Sequence, residues 1–488
     1  MTSVETGGGT PAPGAPPARA TVSTGTLGAG ASPDTATPGT GASPDTATPG
    51  TGASPDTATP GTGASPGTGT PDTRTAPRTG TPGAGAVPGT DVPVGAGRAG
   101  RLPALDGLRG VAILGVLLFH TGQLSGGFLG VDLFFALSGY LITDLLLRET
   151  DATGTVSPAA FWARRARRLL PALAAVLASV TVLVRAAGPP GLLRTTLDDG
   201  PWVQLNLLNW HLLAESAGYW DRFGPGRVFE HLWSVAVEEQ FYLVWPVLVL
   251  VLARGGGPME VRRRLAVAAG LGSAVSLALM IALVDAADPS RVYTGTDTRA
   301  FSLLLGALVA TRPVRDVPAR AAGRSAGAVS VLLAAGIVTA WTFVDGTDSL
   351  WLFHGGLFAH SLASALLIGL CVRAPRTWLA VLLARQPLRW FGLVSYGLYL
   401  WHWPVIVLLS PHLAGLGEWS RTVLVCAVST GLAALSKYLV EDPVRYRAGW
   451  ARGRGGALAF AALMTGLAAL WWAVPAPAPA TVDITRLE

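Results

Sequence analysis

Eleven apolar runs, each long enough to cross a bilayer, occupy most of this sequence from about residue 108 onward. One crossing needs ~20 apolar residues, because an α-helix rises about 1.5 Å per residue through a hydrocarbon core about 30 Å thick. The sequence therefore predicts an all-α polytopic membrane protein with about eleven transmembrane helices. The runs lie at approximately 108–124, 127–147, 169–187, 231–253, 265–284, 293–311, 326–344, 353–372, 390–410, 420–440 and 456–474.

The composition also indicates a chain that resides in lipid. Half of its 488 residues are hydrophobic, 14% are charged, and the mean hydropathy is +0.43. Of the 36 basic residues only Lys437 is Lys. The Arg residues cluster between apolar runs, as the positive-inside rule requires, and form no basic stripe interleaved with aromatic residues, which argues against nucleic-acid binding. Cys371 and Cys426 lie in apolar runs without metal-ligand spacing, so neither a metal site nor a disulfide framework is predicted.

Residues 1–100 predict a disordered tail. They are mainly Gly, Pro, Thr, Ala and Ser, with too few large apolar side chains to offset the entropy of ordering. The sequence GASPDTATPGT recurs at 30–40, 41–51 and 52–62, which is typical of a linker because no repeat carries a core residue. No signal peptide is recognised before the first run, so we expect insertion to depend on the first span.

The loop charges predict the topology. Segment 202–213 is short and polar, so it is better interpreted as interfacial or re-entrant than as a span. With eleven spans and a cytoplasmic N-terminus, every Arg-rich loop faces the cytoplasm. We therefore expect a multi-pass protein of the cell membrane, in contact with membrane lipid, with an external C-terminus.

Ionisable side chains within spans are functional candidates, because they are costly in lipid. Arg109 and His120 are eleven residues apart, which places them on one helix face and about 16 Å apart along the axis. His120 is expected near the midplane. Glu238 and Glu239 enter the fourth span from the other side and are expected at a similar depth. This set suits acyl transfer with His120 as base and one carboxylate orienting it. A structural polar contact between helices is the alternative.

Further polar groups allow two interpretations each. Asp297 and Arg299 could pair with each other or with Glu238, or could bind a polar substrate. The basic run before the third span, which includes Arg165 and Arg168, is typical of a topogenic cluster in contact with anionic lipid, but it also suits phosphate binding. The aromatic stretch that follows Tyr396 could be interface packing. Within it, His402 remains a functional candidate.

Six ordered motifs then identify a resemblance. They are Arg109 with His120, GGFLGVDLFFALSGYLIT at 126–143, RRARRLLP at 164–171, HLWSVAVEEQFYLVWP at 231–246, DTRAFSLLLGAL at 297–308 and SYGLYLWHWP at 395–404. Together they resemble the membrane acyltransferase 3 family, in its branch of bacterial O-antigen and peptidoglycan O-acetyltransferases. The resemblance covers about residues 102–447.

The resemblance implies a ten-helix acyltransferase domain at 101–447, with residues 448–488 adding one transmembrane helix and a short tail. It implies that His120 is essential and that acyl-CoA, usually acetyl-CoA, is the cytoplasmic donor, a co-substrate rather than a bound cofactor. Arg109, Arg165 and Arg168 are expected to hold its phosphates. The implied acceptor is a sugar hydroxyl of a carbohydrate or glycolipid on the outer side.

Many relatives carry a soluble SGNH hydrolase-like domain after the last span, and no such Ser/His/Asp constellation follows it here. The acyl group is therefore expected to pass directly to the acceptor or to a separate SGNH-type partner. Macrolide acylation, as in some actinomycete relatives, is an alternative. A proton-coupled transporter or flippase is another, against which stands the lack of an internal repeat. An inactive scaffold that recruits a partner through the tail is the third.

Overall fold

A computed structural model describes residues 102–215, 226–311, 320, 323–346, 349–451 and 453–477. The regular structure of these residues is entirely helical. The predicted disordered tail at 1–100 lies outside the described residues, so that prediction stays open. The principal helices are α1 (Pro103–His120), α2 (Gly130–Thr153), α3 (Pro158–Ala187), α4 (Pro190–Gln204), α5 (Leu208–Ala214), α6 (Trp233–Ala253), α7 (Pro258–Leu283), α8 (Ser290–Thr294), α9 (Thr296–Ala310), α10 (Ala326–Phe343), α11 (Gly356–Arg373), α12 (Trp378–Leu383), α13 (Gln386–Leu409), α14 (Glu418–Ser436) and α15 (Gly453–Ala473).

The predicted class, an all-α polytopic membrane protein, is confirmed. Ten helical segments of the described ranges are long and apolar enough to cross a membrane. The predicted span at 293–311 differs: the short α8 precedes α9, and α9 has 15 residues. At about 1.5 Å per residue α9 is about 22 Å long, shorter than the hydrocarbon core. It packs against α2, α7 and α11, so neighbouring helices rather than lipid surround it.

Segment 202–213 is not a single helix, in agreement with its polar sequence. α4 ends at Gln204 and α5 begins at Leu208, and between them Asn206 has a φ of 57°. The polar side chains bind neighbouring elements instead of continuing a helix. Gln204 donates to the carbonyl of Met464 at 2.9 Å, and Asn209 donates to that of Thr294 at 3.2 Å. The segment thus anchors α15 on one side and α8 on the other.

Glycines allow α1 and α13 to approach closely along their length. A Cβ added to Gly110 would meet the backbone of Leu388, and one added to Gly392 would meet the backbone of Asp106. Small residues at such contacts are typical of helix packing in membranes, where van der Waals contact replaces the hydrophobic effect. This packing brings the functional candidates of α1 next to those of α13.

Candidate active site

His120 is the last residue of α1. Its Nδ1 lies 3.0 Å from the carbonyl oxygen of Val116. A carbonyl can only accept, so Nδ1 carries the hydrogen and the neutral ring has its lone pair on Nε2. The sequence placed His120 near the middle of a span, but the helix ends at this residue. The imidazole is therefore a potential base at the end of a helix.

His120 lines a cavity with a volume of about 730 Å³, which we call the histidine cavity. Its walls come from the end of α1, the end of α13, the start of α14 and the segment after α10. Polar groups on the wall across from the imidazole include Asp345, Arg421 and Thr422. A cavity of this size and mixed polarity suits a ligand as large as a sugar unit. The lining residues are Phe119, His120, Thr121, Gly122, Leu124, Ser125, Asp345, Gly346, Trp403, Ile406, Val407, Ser410, Pro411, Arg421, Thr422 and Val425.

Two more imidazoles continue inward from His120. The ring of His402 on α13 lies 5.0 Å from that of His120, and the ring of His231 lies 5.2 Å from that of His402. His402 is fully buried and its Nδ1 donates to the carbonyl of Tyr399 at 2.6 Å, so the lone pair of its neutral ring is on Nε2. Among the described residues these rings do not belong to a metal-ligand group. Neighbouring imidazoles of this kind cannot readily all be charged at once.

Trp403 holds the other side of His120. Its ring lies 5.0 Å from that of His120, and its Nε1 donates to the carbonyl of Arg227 at 2.8 Å. Arg227 lies in the connection before α6 and pairs with Asp199 and Glu215. Partial burial alone would lower the pKa of Arg227, but the two carboxylates outweigh it and raise that pKa. The loop ion pairs therefore stabilise the backbone that fixes Trp403.

A second, smaller cavity contains Arg109 and Glu238, and we call it the arginine cavity. Its volume is about 40 Å³. The Glu238 carboxylate accepts hydrogen bonds from the hydroxyls of Ser138 and Tyr242. Tyr396 and Tyr399 of α13 line the same space. Glu238 therefore belongs with Arg109, at the start of α1.

Four arginines converge beside the arginine cavity. Arg168 lies within electrostatic range of Arg109, Arg165 and Arg445. The guanidinium of Arg165 lies 4.6 Å from the ring centre of Tyr242. Glu239 is close to both Arg165 and Arg168. Like charges repel, so such a concentration of guanidinium groups suits a ligand with several phosphates.

The structure places Glu238 and Glu239, the predicted partners of His120, beside the arginines. Glu238 shares a cavity with Arg109, and Arg109 precedes His120 by about 16 Å along α1. The turn at 230–232 begins the fourth span and places His231 at the level of His402. Glu238 follows seven residues later, about 10 Å further along the helix. The depth predicted for the two carboxylates is the depth at which His231 lies.

Asp297 and Arg299, for which pairing with each other or with Glu238 was one alternative, have other ion-pair partners. Asp297 pairs with Arg291 at 2.7 Å, at the start of α9. Arg299 is fully buried and pairs with Asp132 of α2 at 2.9 Å. Its guanidinium also lies 4.7 Å from the ring centre of Tyr293. Arg299 therefore joins α2 to α9, apart from both cavities.

Tyr396 and His402 take separate places. Tyr396 lines the arginine cavity and donates to the carbonyl of Leu169 at 3.1 Å, whereas His402 contacts His120. The sequence did not single out His231 or Arg445. His231 is the first residue of the motif at 231–246, so the sequence did contain a signal that marked it as a candidate. Arg445 is indistinguishable in sequence from any other basic residue of a predicted cytoplasmic loop.

Comparison with known proteins gives a consistent result. Residues 102–438 match a family model described as an acyltransferase domain. The chain is 35% identical over 355 residues to the peptidoglycan O-acetyltransferase OatA of Listeria monocytogenes, which covers 70% of this chain and 56% of that protein. It is 39% identical over 353 residues to the putative peptidoglycan O-acetyltransferase YrhL of Bacillus subtilis, with 70% and 55% covered.

The O-acetyltransferase OatA of Staphylococcus aureus is 34% identical over 354 residues, with 70% of this chain and 57% of that protein covered. The chain thus spans little more than half the length of these curated relatives. No solved structure matches the chain.

Proposed function

This chain belongs to the acyltransferase 3 family, and from that premise we propose that it is a membrane O-acyltransferase. It transfers an acyl group, in the first place acetyl, from acyl-CoA to a hydroxyl of a cell-wall carbohydrate. The observation that carries the proposal is the arrangement along α1. A cluster of arginines surrounds its start, and the imidazole of His120 lies at its end, in a cavity of about 730 Å³.

The arginine end suits the donor. CoA carries phosphates at one end of a flexible arm and the thioester at the other. Arg109, Arg165, Arg168 and Arg445 offer charge-assisted hydrogen bonds to those phosphates. The arm would then pass through the arginine cavity, along Tyr396 and Tyr399, and bring the thioester toward His120. The separation of about 16 Å between Arg109 and His120 is therefore what a donor of this shape requires.

The chemistry at the other end is general base catalysis. Nε2 of His120 takes the proton of the acceptor hydroxyl as its oxygen attacks the thioester carbonyl. The carbon–sulfur bond breaks, the acyl group remains on the acceptor oxygen, and the imidazolium returns its proton to the leaving thiolate. His402 acts through His120. Because the two rings are adjacent, they cannot readily both be positively charged, so only one of them takes up an additional proton at a time.

The histidine cavity suits the acceptor. Its wall offers a carboxylate, a guanidinium and hydroxyls, the groups that bind sugar hydroxyls, and its volume of about 730 Å³ holds at least one sugar unit. The relatives named as peptidoglycan O-acetyltransferases support a cell-wall carbohydrate as the acceptor class. We place the arginine end on the cytoplasmic side and the histidine cavity on the outer side, because Arg-rich loops favour the cytoplasm.

Turnover of labelled donor tests this proposal. Inside-out vesicles that contain the full chain are loaded in their lumen with cell-wall glycan fragments as acceptor, and acetyl-CoA labelled in its acetyl group is added to the medium, which faces the cytoplasmic side of the protein. Transfer of label to glycan is expected with the wild type and is expected to be lost with His120→Ala. His354→Ala is the matched control, because His354 is an exposed imidazole on another connection. Equal transfer by wild type and His120→Ala would overturn the assignment of the base.

A further inference from the structure

An apolar cavity between α3 and α15, which we call the slot, shares no lining residue with the histidine cavity. Its volume is about 640 Å³. α15 is fastened to the rest of the protein at its far end, where Trp471 donates to Gln204 at 2.8 Å. At its near end Arg167 of α3 donates to the carbonyl of Ala451 at 3.4 Å. Between these two attachments the helices stand apart.

The walls of this slot are hydrocarbon. Small and aliphatic side chains such as Ala174, Ala178, Leu463 and Gly466 line it from both helices. Protein interiors contain few voids larger than a water molecule, and a void of this size between two membrane helices fills with something apolar. Along α3 the slot runs from residue 166 to residue 178, about 18 Å. One leaflet of the hydrocarbon core is about 15 Å deep, so the slot has the length of a lipid chain.

One end of the slot is basic. Arg167 lines it, and Arg447 and Arg454 lie on the segments next to it. Among the described residues none of these three has a carboxylate at ion-pair distance. Trp450 is 61% exposed at the same end, as aromatic side chains at a membrane interface are. Basic groups above an apolar slot between helices complement the phosphate of an anionic lipid.

We propose that the slot between α3 and α15 is a binding site for one anionic phospholipid, with an acyl chain between the helices and the phosphate at Arg167. The occupant is a bilayer lipid and not a soluble anion, because the larger part of the site is apolar. The site does not depend on the acyltransferase reaction. Its ligand stabilises α15 on the bundle, because α15 buries little of its own surface: among its described residues Leu467 alone is buried.

Native mass spectrometry of the full chain, released from detergent with added lipid, tests the site. Dioleoyl phosphatidylglycerol and dioleoyl phosphatidylcholine have the same chains and differ in head-group charge. We expect one retained phosphatidylglycerol per chain, with about a tenfold preference over phosphatidylcholine, the effect of one charge-assisted hydrogen bond. Arg167→Gln is expected to remove the preference, and Arg376→Gln, an exposed arginine elsewhere, is expected to keep it.

A filling variant tests the slot itself. A Cβ at Gly466 meets no atom within 4 Å, so Gly466→Leu places a side chain in the slot without a clash. Gly336 on α10 has the same open surroundings outside the slot, so Gly336→Leu is the matched control. We expect Gly466→Leu to lose the retained lipid and Gly336→Leu to keep it. Equal retention by the two variants, or equal retention of both lipids by the wild type, would overturn the proposal.

Discussion

Removal of Arg299 tests whether this residue stabilises the fold or binds a substrate. The side chain is fully buried, and its partner Asp132 is fully buried as well. The same Asp132 oxygen also accepts from the hydroxyls of Ser302 and Ser361, at 2.8 and 3.0 Å. Of these three donors only Arg299 is charged. Arg299→Met therefore removes the charge that compensates the carboxylate and leaves two hydrogen bonds from uncharged hydroxyls.

The expected cost follows from that geometry. Loss of one partner of a buried ion pair lowers the free energy of unfolding by about 3–5 kcal/mol, because the remaining charge is uncompensated. The double variant Asp132→Asn with Arg299→Met removes both charges, and the asparagine oxygen still accepts from Ser302 and Ser361. We expect it to recover about 2 kcal/mol or more of the loss, since no unpaired charge remains.

Reversible unfolding in mixed detergent micelles measures both effects, and transfer from labelled acetyl-CoA measures activity of the folded fraction. The expected pattern is an unstable single variant and a double variant with near wild-type turnover per folded molecule. An Arg299→Met protein as stable as the wild type would refute the energetic argument. A stable double variant without activity would show instead that Arg299 contacts a substrate.

Three further predictions concern the proposed site and its scaffold. Arg168→Gln and Arg445→Gln are each expected to raise KM for acyl-CoA about tenfold with little change in kcat, as expected for lost phosphate contacts, with Arg376→Gln as control; an unchanged KM would exclude them from the donor site. His402→Phe keeps the bulk of the ring and is expected to lower kcat about tenfold or more at unchanged KM, with a shifted pH profile; a change in KM alone would indicate a substrate contact instead. Gly392→Val is expected to lower the free energy of unfolding by about 1–3 kcal/mol or more, because its Cβ meets the backbone of Asp106; a stable variant in thermal unfolding would contradict the close packing of α1 and α13.

The sequence was sufficient for the class of fold, because crossing a bilayer imposes a simple rule on length and polarity. It also separated segment 202–213 from the spans, since Gln204 and Asn209 need partners that lipid does not offer. It missed the shortness of α9. The apolar run continues across the break at Gly295, and hydropathy alone cannot show that two helices share it.

The clustering of the arginines was easier to predict from the sequence than the neighbours of His120. Arg109, Arg165 and Arg168 do converge, because all three lie at the same end of neighbouring helices. Depth along a span was a poor guide to the partners of His120. Each depth was counted as if the helix began at the membrane edge. The turn before α6 places Glu238 further along the span, near Arg109.

Long-range pairs could not be predicted from one sequence. Asp132 and Arg299 are 167 positions apart, and only the packing of α2 on α9 brings them together. His231 and His402 are likewise on different helices, and their contact depends on the tilt of α13 against the start of α6. The periodicity of one helix shows which of its own residues share a face, but it does not show which face of a neighbouring helix they contact.

The most direct test of the central claim is transfer of acetyl label from acetyl-CoA to cell-wall glycan by vesicles with wild-type protein, His120→Ala or His354→Ala. The account predicts transfer by the wild type and by His354→Ala, and none by His120→Ala. Transfer by His120→Ala at the wild-type rate would contradict a mechanism in which this imidazole is the base.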